Sequence, residues 1–96
     1  MTDQILNKKI IDYLLKYKPT KIGIFGSYSR NENNQNSDLD ILVRFGTSIS
    51  LLQLIGIEIE LTEILGIKVD LLTEGALKNK KLKNYIEKDL KIIYQS

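Results

Sequence analysis

Residues Asp38-Leu-Asp-Ile-Leu-Val-Arg-Phe45 make an apolar run that opens with two carboxylates. Side chains alternate along a strand, so Leu39, Ile41 and Val43 project to one face and Asp38, Asp40 and Leu42 to the other. The two acids then sit side by side with Cα atoms about 6.5–7 Å apart, from a rise of roughly 3.3 Å per residue. That spacing suits carboxylates that share a metal pair, because catalytic metals in phosphoryl transfer lie about 3.5–4 Å apart. An isolated Asp-X-Asp is more often a turn or a surface pair at a strand end. Its neighbours decide which reading applies.

Upstream, Lys21 to Phe25 reads as a short strand ended by Gly26, and Ser27 is placed to begin a short helical turn through Arg30. Glycine lets a phosphate approach the backbone, and the amides that follow, with the Ser27 hydroxyl, can donate to its oxygens. Gly-Ser alone is an ordinary turn signal. The Walker lysine motif is absent, so the turn is not a P-loop. Residues 31–37 form a polar loop with four asparagines and no apolar side chain, which belongs at the surface. Downstream, Ile67 to Leu72 reads as a strand whose apolar run is broken by Asp70. A charge without a partner among Ile67, Val69, Leu71 and Leu72 is costly, and a bound metal would account for it.

The remaining segments complete a small α/β or α+β arrangement. Thr2 is placed to cap a first helix running to about Tyr17, with Ile5, Leu6, Ile10, Ile11, Leu14 and Leu15 as its apolar stripe and Pro19 just past its end. Ser50 with Gln53 makes a capping-box pattern, and Gly66 supplies a C-terminal stop, so Leu51 to Leu65 reads as a helix. Ile55-Gly-Ile-Glu-Ile-Glu-Leu61 also alternates like a strand, but the length and both caps favour helix. A last helix from about Asn79 to Lys88 is expected to bury Leu82, Tyr85 and Ile86, and Leu90 to Tyr94 to form a fourth strand. The predicted order is α-β-α-β-α-β-α-β, a small mixed sheet flanked by helices in a single domain spanning 1–96.

Composition narrows the chemistry. The chain has neither cysteine nor histidine, which removes disulfides, thiolate chemistry, zinc sites of the Cys/His type and imidazole acid–base catalysis. Any metal site must use oxygen ligands, which favours magnesium, manganese or calcium. A signal-like apolar run is missing, and the longest apolar stretch, Leu51 to Leu65, is interrupted by Gln53, Glu58, Glu60 and Glu63, so a cytoplasmic protein without membrane insertion is expected. The net charge of +2 gives no argument for direct nucleic-acid binding. Lys78, Lys80, Lys81, Lys83, Lys88 and Lys91 crowd the C-terminal part; a solvated helix face is the plainer reading, and a docking surface for phosphates, RNA or an acidic partner the alternative.

Taken together, Gly26-Ser-Tyr-Ser-Arg30, a polar spacer, Ser37-Asp-Leu-Asp-Ile-Leu-Val43 and the third acid at Asp70 closely resemble the signature of the polymerase-beta-like nucleotidyltransferase superfamily. The resemblance spans roughly Lys21 to Leu72, and the short remainder is similar to the minimal nucleotidyltransferases. It implies the corresponding fold, with Asp38 and Asp40 as ligands of two Mg2+ ions (Mn2+ being an alternative). Asp70 becomes the third acidic ligand that helps activate the acceptor hydroxyl, and Gly26 and Ser27 the contacts to the triphosphate of ATP. Arg30 matches an arginine that follows the Gly-Ser pair in the family; it either supports the phosphates or pairs with an aspartate. Asn31 stands where many relatives carry glycine, a tolerable exchange because asparagine accepts left-handed geometry better than most residues.

The chain leaves little room for an acceptor domain, so an acceptor on a partner protein is expected. Minimal nucleotidyltransferases are commonly paired with HEPN-domain proteins as antitoxin and toxin. The resemblance implies a protein adenylyltransferase that moves AMP from ATP to a tyrosine of a HEPN ribonuclease toxin. Two alternatives stay open: a non-catalytic antitoxin that binds its toxin, and transfer to RNA or a small molecule. On the helix Leu51 to Leu65, the stripe Leu51, Ile55, Ile59 lies apart from Leu54, Ile57, Leu61 and Leu65. Burial beneath the sheet is the plainer reading of that excess, and an interface the alternative.

Overall fold

The computed structural model describes residues 3–96, so the expected cap Thr2 lies outside the described residues. Four strands, β1 (Pro19–Phe25), β2 (Leu39–Phe45), β3 (Val69–Thr73) and β4 (Lys91–Gln95), combine with three helices, α1 (Asp3–Leu14), α2 (Leu51–Leu65) and α3 (Lys80–Asp89). Short 3-10 turns follow α1, β1 and β3. The strands form one mixed sheet in the order β3-β2-β1-β4; β1 is antiparallel to β2 and β4, and β2 is parallel to β3. A parallel pair needs a long crossover, and α2 supplies it between β2 and β3. The element order matches the expectation from sequence, except that the helical turn expected at Ser27–Arg30 is a 3-10 turn at Gly26–Tyr28 rather than an α-helix.

The alternation in β2 sets the layers. Leu39, Ile41 and Val43 enter the main core with Ile22 and Ile24 of β1, Val69 and Leu71 of β3, Leu6, Ile10 and Leu14 of α1, and Ile57, Leu61 and Leu65 of α2. The opposite sheet face holds a smaller core in which Phe25, Leu42 and Ile86 are buried and Leu72, Leu77 and Leu90 pack against them. Helix α3 covers this second face through Ile86.

The strand-like alternation in α2 does not prevail, because both ends of the helix are capped. The Ser50 hydroxyl accepts from the Gln53 amide at 3.1 Å, and Gln53 Oε1 accepts from the Ser50 amide at 3.0 Å. Gly66 closes the helix at φ 67°, its N–H donating to the Thr62 carbonyl. Side chains of α2 also cover the outer edge of β3: the Val69 amide donates to Thr62 Oγ1 at 3.1 Å and the Leu71 amide to Glu58 Oε2 at 2.8 Å. Those amides point away from β2 and would otherwise lack a partner.

Three expectations of burial are corrected. Leu51, Ile55 and Ile59 do not lie beneath the sheet but are 72%, 44% and 54% exposed, because α2 turns only its Ile57–Leu61–Leu65 stripe inward. Leu82 and Tyr85 of α3 are exposed, since that helix meets the sheet over a patch only wide enough for Ile86. Ile5 of α1 and Leu15 of the 3-10 turn that follows it flank the buried stripe and stay exposed. Among the described residues, no helix is long and apolar enough to cross a membrane.

Candidate active site

One register row assembles the site. Phe25, the last residue of β1, pairs with Asp40 of β2, and Asp40 pairs with Asp70 of β3. Paired residues in adjacent strands project to the same face, so Asp40 and Asp70 lie side by side. The chain leaving Phe25 turns directly beside them. Gly26 begins that turn at φ 75°, a left-handed conformation that favours glycine. It also sits so close to Asp40 that a Cβ there would collide with Oδ2 of the carboxylate. Gly26 is therefore needed twice, for its backbone angle and for the approach to Asp40.

The turn is internally tied. The Ser29 amide and the Arg30 amide both donate to the Gly26 carbonyl, at 3.1 and 3.3 Å, and the Glu32 amide donates to the Ser27 carbonyl at 2.9 Å. Ser29, only 5% exposed, adds its hydroxyl, which donates to the same Gly26 carbonyl at 2.9 Å. Asn31 closes the turn at φ 57°, the left-handed geometry anticipated for it. Ser27 lies in the first turn beside Gly26, where the amides of a helical start precede any intrahelical partner.

The electrostatics are those of crowded acids. Burial, reinforced by the charges of Asp70 and Asp38, pushes the Asp40 carboxyl up to about 6, while Arg30 opposes the shift. Asp70 is raised as well, by burial first and then by Asp38, with Glu58 adding to the effect and Lys68 opposing it. Asp38, just ahead of β2, lies with Oδ2 3.9 Å from Lys68 Nζ. Arg30 is held by two acids: Nη1 donates to Asp89 Oδ2 at 2.5 Å, and Nε to Glu32 Oε2 at 3.3 Å.

Among the described residues, no three acidic side chains are gathered as a closed metal site. The donor set nevertheless fits a hard divalent cation. It is made of carboxylate oxygens, the kind magnesium and manganese prefer, and two of the three acids are held above their ordinary range partly by their neighbours' charge, which a cation would relieve. Volume alone does not find this place. A cleft of about 450 Å³ is lined by Arg44, Thr47, Thr73 and Glu74, at the opposite ends of β2 and β3 from the carboxylates. The converging charges are the better guide, because they carry the chemistry.

All six residues singled out in the sequence, Gly26, Ser27, Arg30, Asp38, Asp40 and Asp70, thus lie in or next to one corner of the sheet. Three participants were not anticipated. Ser29 braces the turn, Glu58 stands within the field of Asp70 from α2, and Asp89 holds Arg30 from 59 residues away. Ser29 lies inside the motif, but no sequence signal marked the other two.

The nucleotidyltransferase domain family matches residues 7–93. A Methanocaldococcus jannaschii protein provisionally named a protein adenylyltransferase, MJ0126, is 47% identical over 91% of this chain and 89% of its own length. Among solved structures, a toxin–antitoxin complex with AMP-PNP superposes with a TM-score of 0.84 at 26% identity, covering 94% of this chain and 73% of the matched one. A complex of a tri-AMPylated Shewanella oneidensis HEPN toxin with MNT antitoxin gives a TM-score of 0.80 at 24% identity, covering 99% and 74%.

Proposed function

We propose that this chain, which belongs to the nucleotidyltransferase domain family, is an antitoxin that transfers AMP from ATP to a tyrosine of a partner HEPN-domain toxin and so neutralises it. The observation that carries the reading is the register row Phe25–Asp40–Asp70, which brings the Gly26–Arg30 turn against two crowded carboxylates. The M. jannaschii relative supports adenylyl transfer to protein, and the toxin–antitoxin complex with AMP-PNP supports ATP as substrate and a toxin as partner.

In this reading Gly26 and Ser27 receive the triphosphate, whose oxygens accept from backbone amides and the Ser27 hydroxyl. Asp38, Asp40 and Asp70 would hold Mg2+. Bound there, two such ions would lower the pKa of an acceptor hydroxyl and neutralise charge on the departing pyrophosphate. Asp70, the third acid of the group, would help to activate the tyrosine hydroxyl. Covering of the Asp40 side by Gly26 keeps that carboxylate partly out of water, which strengthens its interactions with charge.

The test is to incubate the protein with ATP, magnesium and the protein encoded beside it, then to measure intact masses. Additions of one or more AMP units on the partner are expected, and Asp38→Asn or Asp40→Asn should abolish them. Exposed Leu51, Leu52, Ile55 and Ile59 on α2 offer an apolar surface that also suits a purely contact-based antitoxin. If the aspartate variants protect cells from the partner as well as the parent does, that second reading replaces the first.

A further inference from the structure

The contact between Arg30 and Asp89 joins two segments that the site otherwise leaves separate: the turn after β1 and the last residue of α3. Asp89 is poorly placed for the helix itself. The C-terminal turn of a helix carries partial negative charge and favours cations, so an acid at that position is locally unfavourable. Its side chain is nevertheless only 17% exposed, and its partner is a guanidinium rather than solvent. A carboxylate kept at the wrong end of a helix, withdrawn from water and paired across the fold is best explained by what it does to its partner.

We infer that Asp89 is a positioning residue: by fixing Arg30 it aims the remaining edge of the guanidinium at the nucleotide phosphates and braces the Gly26–Arg30 turn. The inference rests on the nucleotidyl-transfer reading of that turn. A guanidinium has five donor hydrogens in a rigid fork. Here Nη1 is committed to Asp89 and Nε to Glu32, and among the described residues no hydrogen bond involves Nη2. Two carboxylates thus set the plane of the fork and leave one donor edge for an anion. The Arg30 amide is itself part of the turn, donating to the Gly26 carbonyl at 3.3 Å, so holding the side chain also steadies the backbone that would cradle phosphate. Arg30 is close enough to the carboxylates for its charge to act on Asp40. Glu32, with its side chain 66% exposed, is the weaker anchor, and Asp89 the stronger.

The experiment titrates AMP-PNP with Mg2+ into the full chain by calorimetry, using the parent, Asp89→Asn, Arg30→Ala and the double variant. Asp89→Asn should weaken binding about fivefold, the scale of a charge-assisted contact partly lost, and should have no further effect in the Arg30→Ala background. Unchanged binding by Asp89→Asn overturns the inference, and tighter binding does so too, because Asp89 would then be withholding Arg30 from the phosphates. An equal loss in both backgrounds also overturns it, since a general loosening of α3 would not depend on Arg30. A parent that binds AMP-PNP and an Asp89→Asn variant that binds it equally well refute this inference alone; a parent that binds none refutes the nucleotidyl-transfer reading and this inference with it.

Discussion

Asp40 is placed where folding and chemistry pull against each other. In an unfolded chain its carboxyl titrates near the ordinary value of about 3.9, but in the fold burial and the neighbouring acids push it up to about 6. The folded state therefore binds this proton more tightly than the unfolded state. Its contribution is fully present below about pH 4 and is lost as pH rises through about 6. With solvent screening at this partly open site, the penalty at neutral pH is about 1 kcal/mol. Thermal melts in EDTA should show Asp40→Asn about 5 °C more stable than the parent at pH 7 and level with it at pH 4, while AMP transfer is lost. Curves that run parallel across that range would mean Asp40 carries no strain. Asp38, Asp40 and Asp70 were legible in the sequence because their signal is local: acids at the head of an apolar strand or within one, in order, after a Gly-Ser turn. Asp89 was not, since an acid in a lysine-rich helix reads as a solvated charge until the fold brings Arg30 to it.

At the scale of elements, α2 does more than cross over from β2 to β3. Glu58 and Thr62 accept from the outward amides of β3, which closes an edge that would otherwise be open to another strand. The Glu58 oxygen, rather than its charge, does this, while its charge raises Asp70. Glu58→Gln keeps an acceptor and should leave stability within about 0.5 kcal/mol of the parent, whereas Glu58→Ala strands the Leu71 amide and should cost about 1–3 kcal/mol in urea unfolding. Equal losses in both variants would show that the charge matters instead. The helix and its ends could be read from sequence, because Ser50, Gln53 and Gly66 specify caps whatever surrounds them. Which side it buries could not, since α2 is apolar around most of its circumference and only packing against the sheet and α1 selects Ile57, Leu61 and Leu65. The same limit applies to α3, whose Leu82, Tyr85 and Ile86 look equivalent until the width of the second core admits only Ile86.

For the molecule as a whole, the two faces of the sheet are unequal, and the site sits on the weaker one. The main core joins α1 and α2 to β1, β2 and β3, whereas the second buries only Phe25, Leu42 and Ile86, with α3 fastened over them. Helices held by few buried contacts open at lower free energy than the global transition. The α3 amides should therefore exchange with solvent faster than those of α2 and β2 under native conditions. Ile86→Ala should speed α3 exchange further and leave α2 and β2 slow, while Leu61→Ala, a large-to-small change at a fully buried position, should lower global stability by about 2–5 kcal/mol and weaken protection in both sets. If Ile86→Ala exposed α2 and β2 as much as α3, the two cores would be a single cooperative unit. The division matters because α3 supplies Asp89 to the turn at Gly26–Arg30: if that turn holds phosphate as proposed, one wall of the site belongs to the part of the fold expected to open most easily, and a nucleotide that engages Arg30 has a helix to order as it binds.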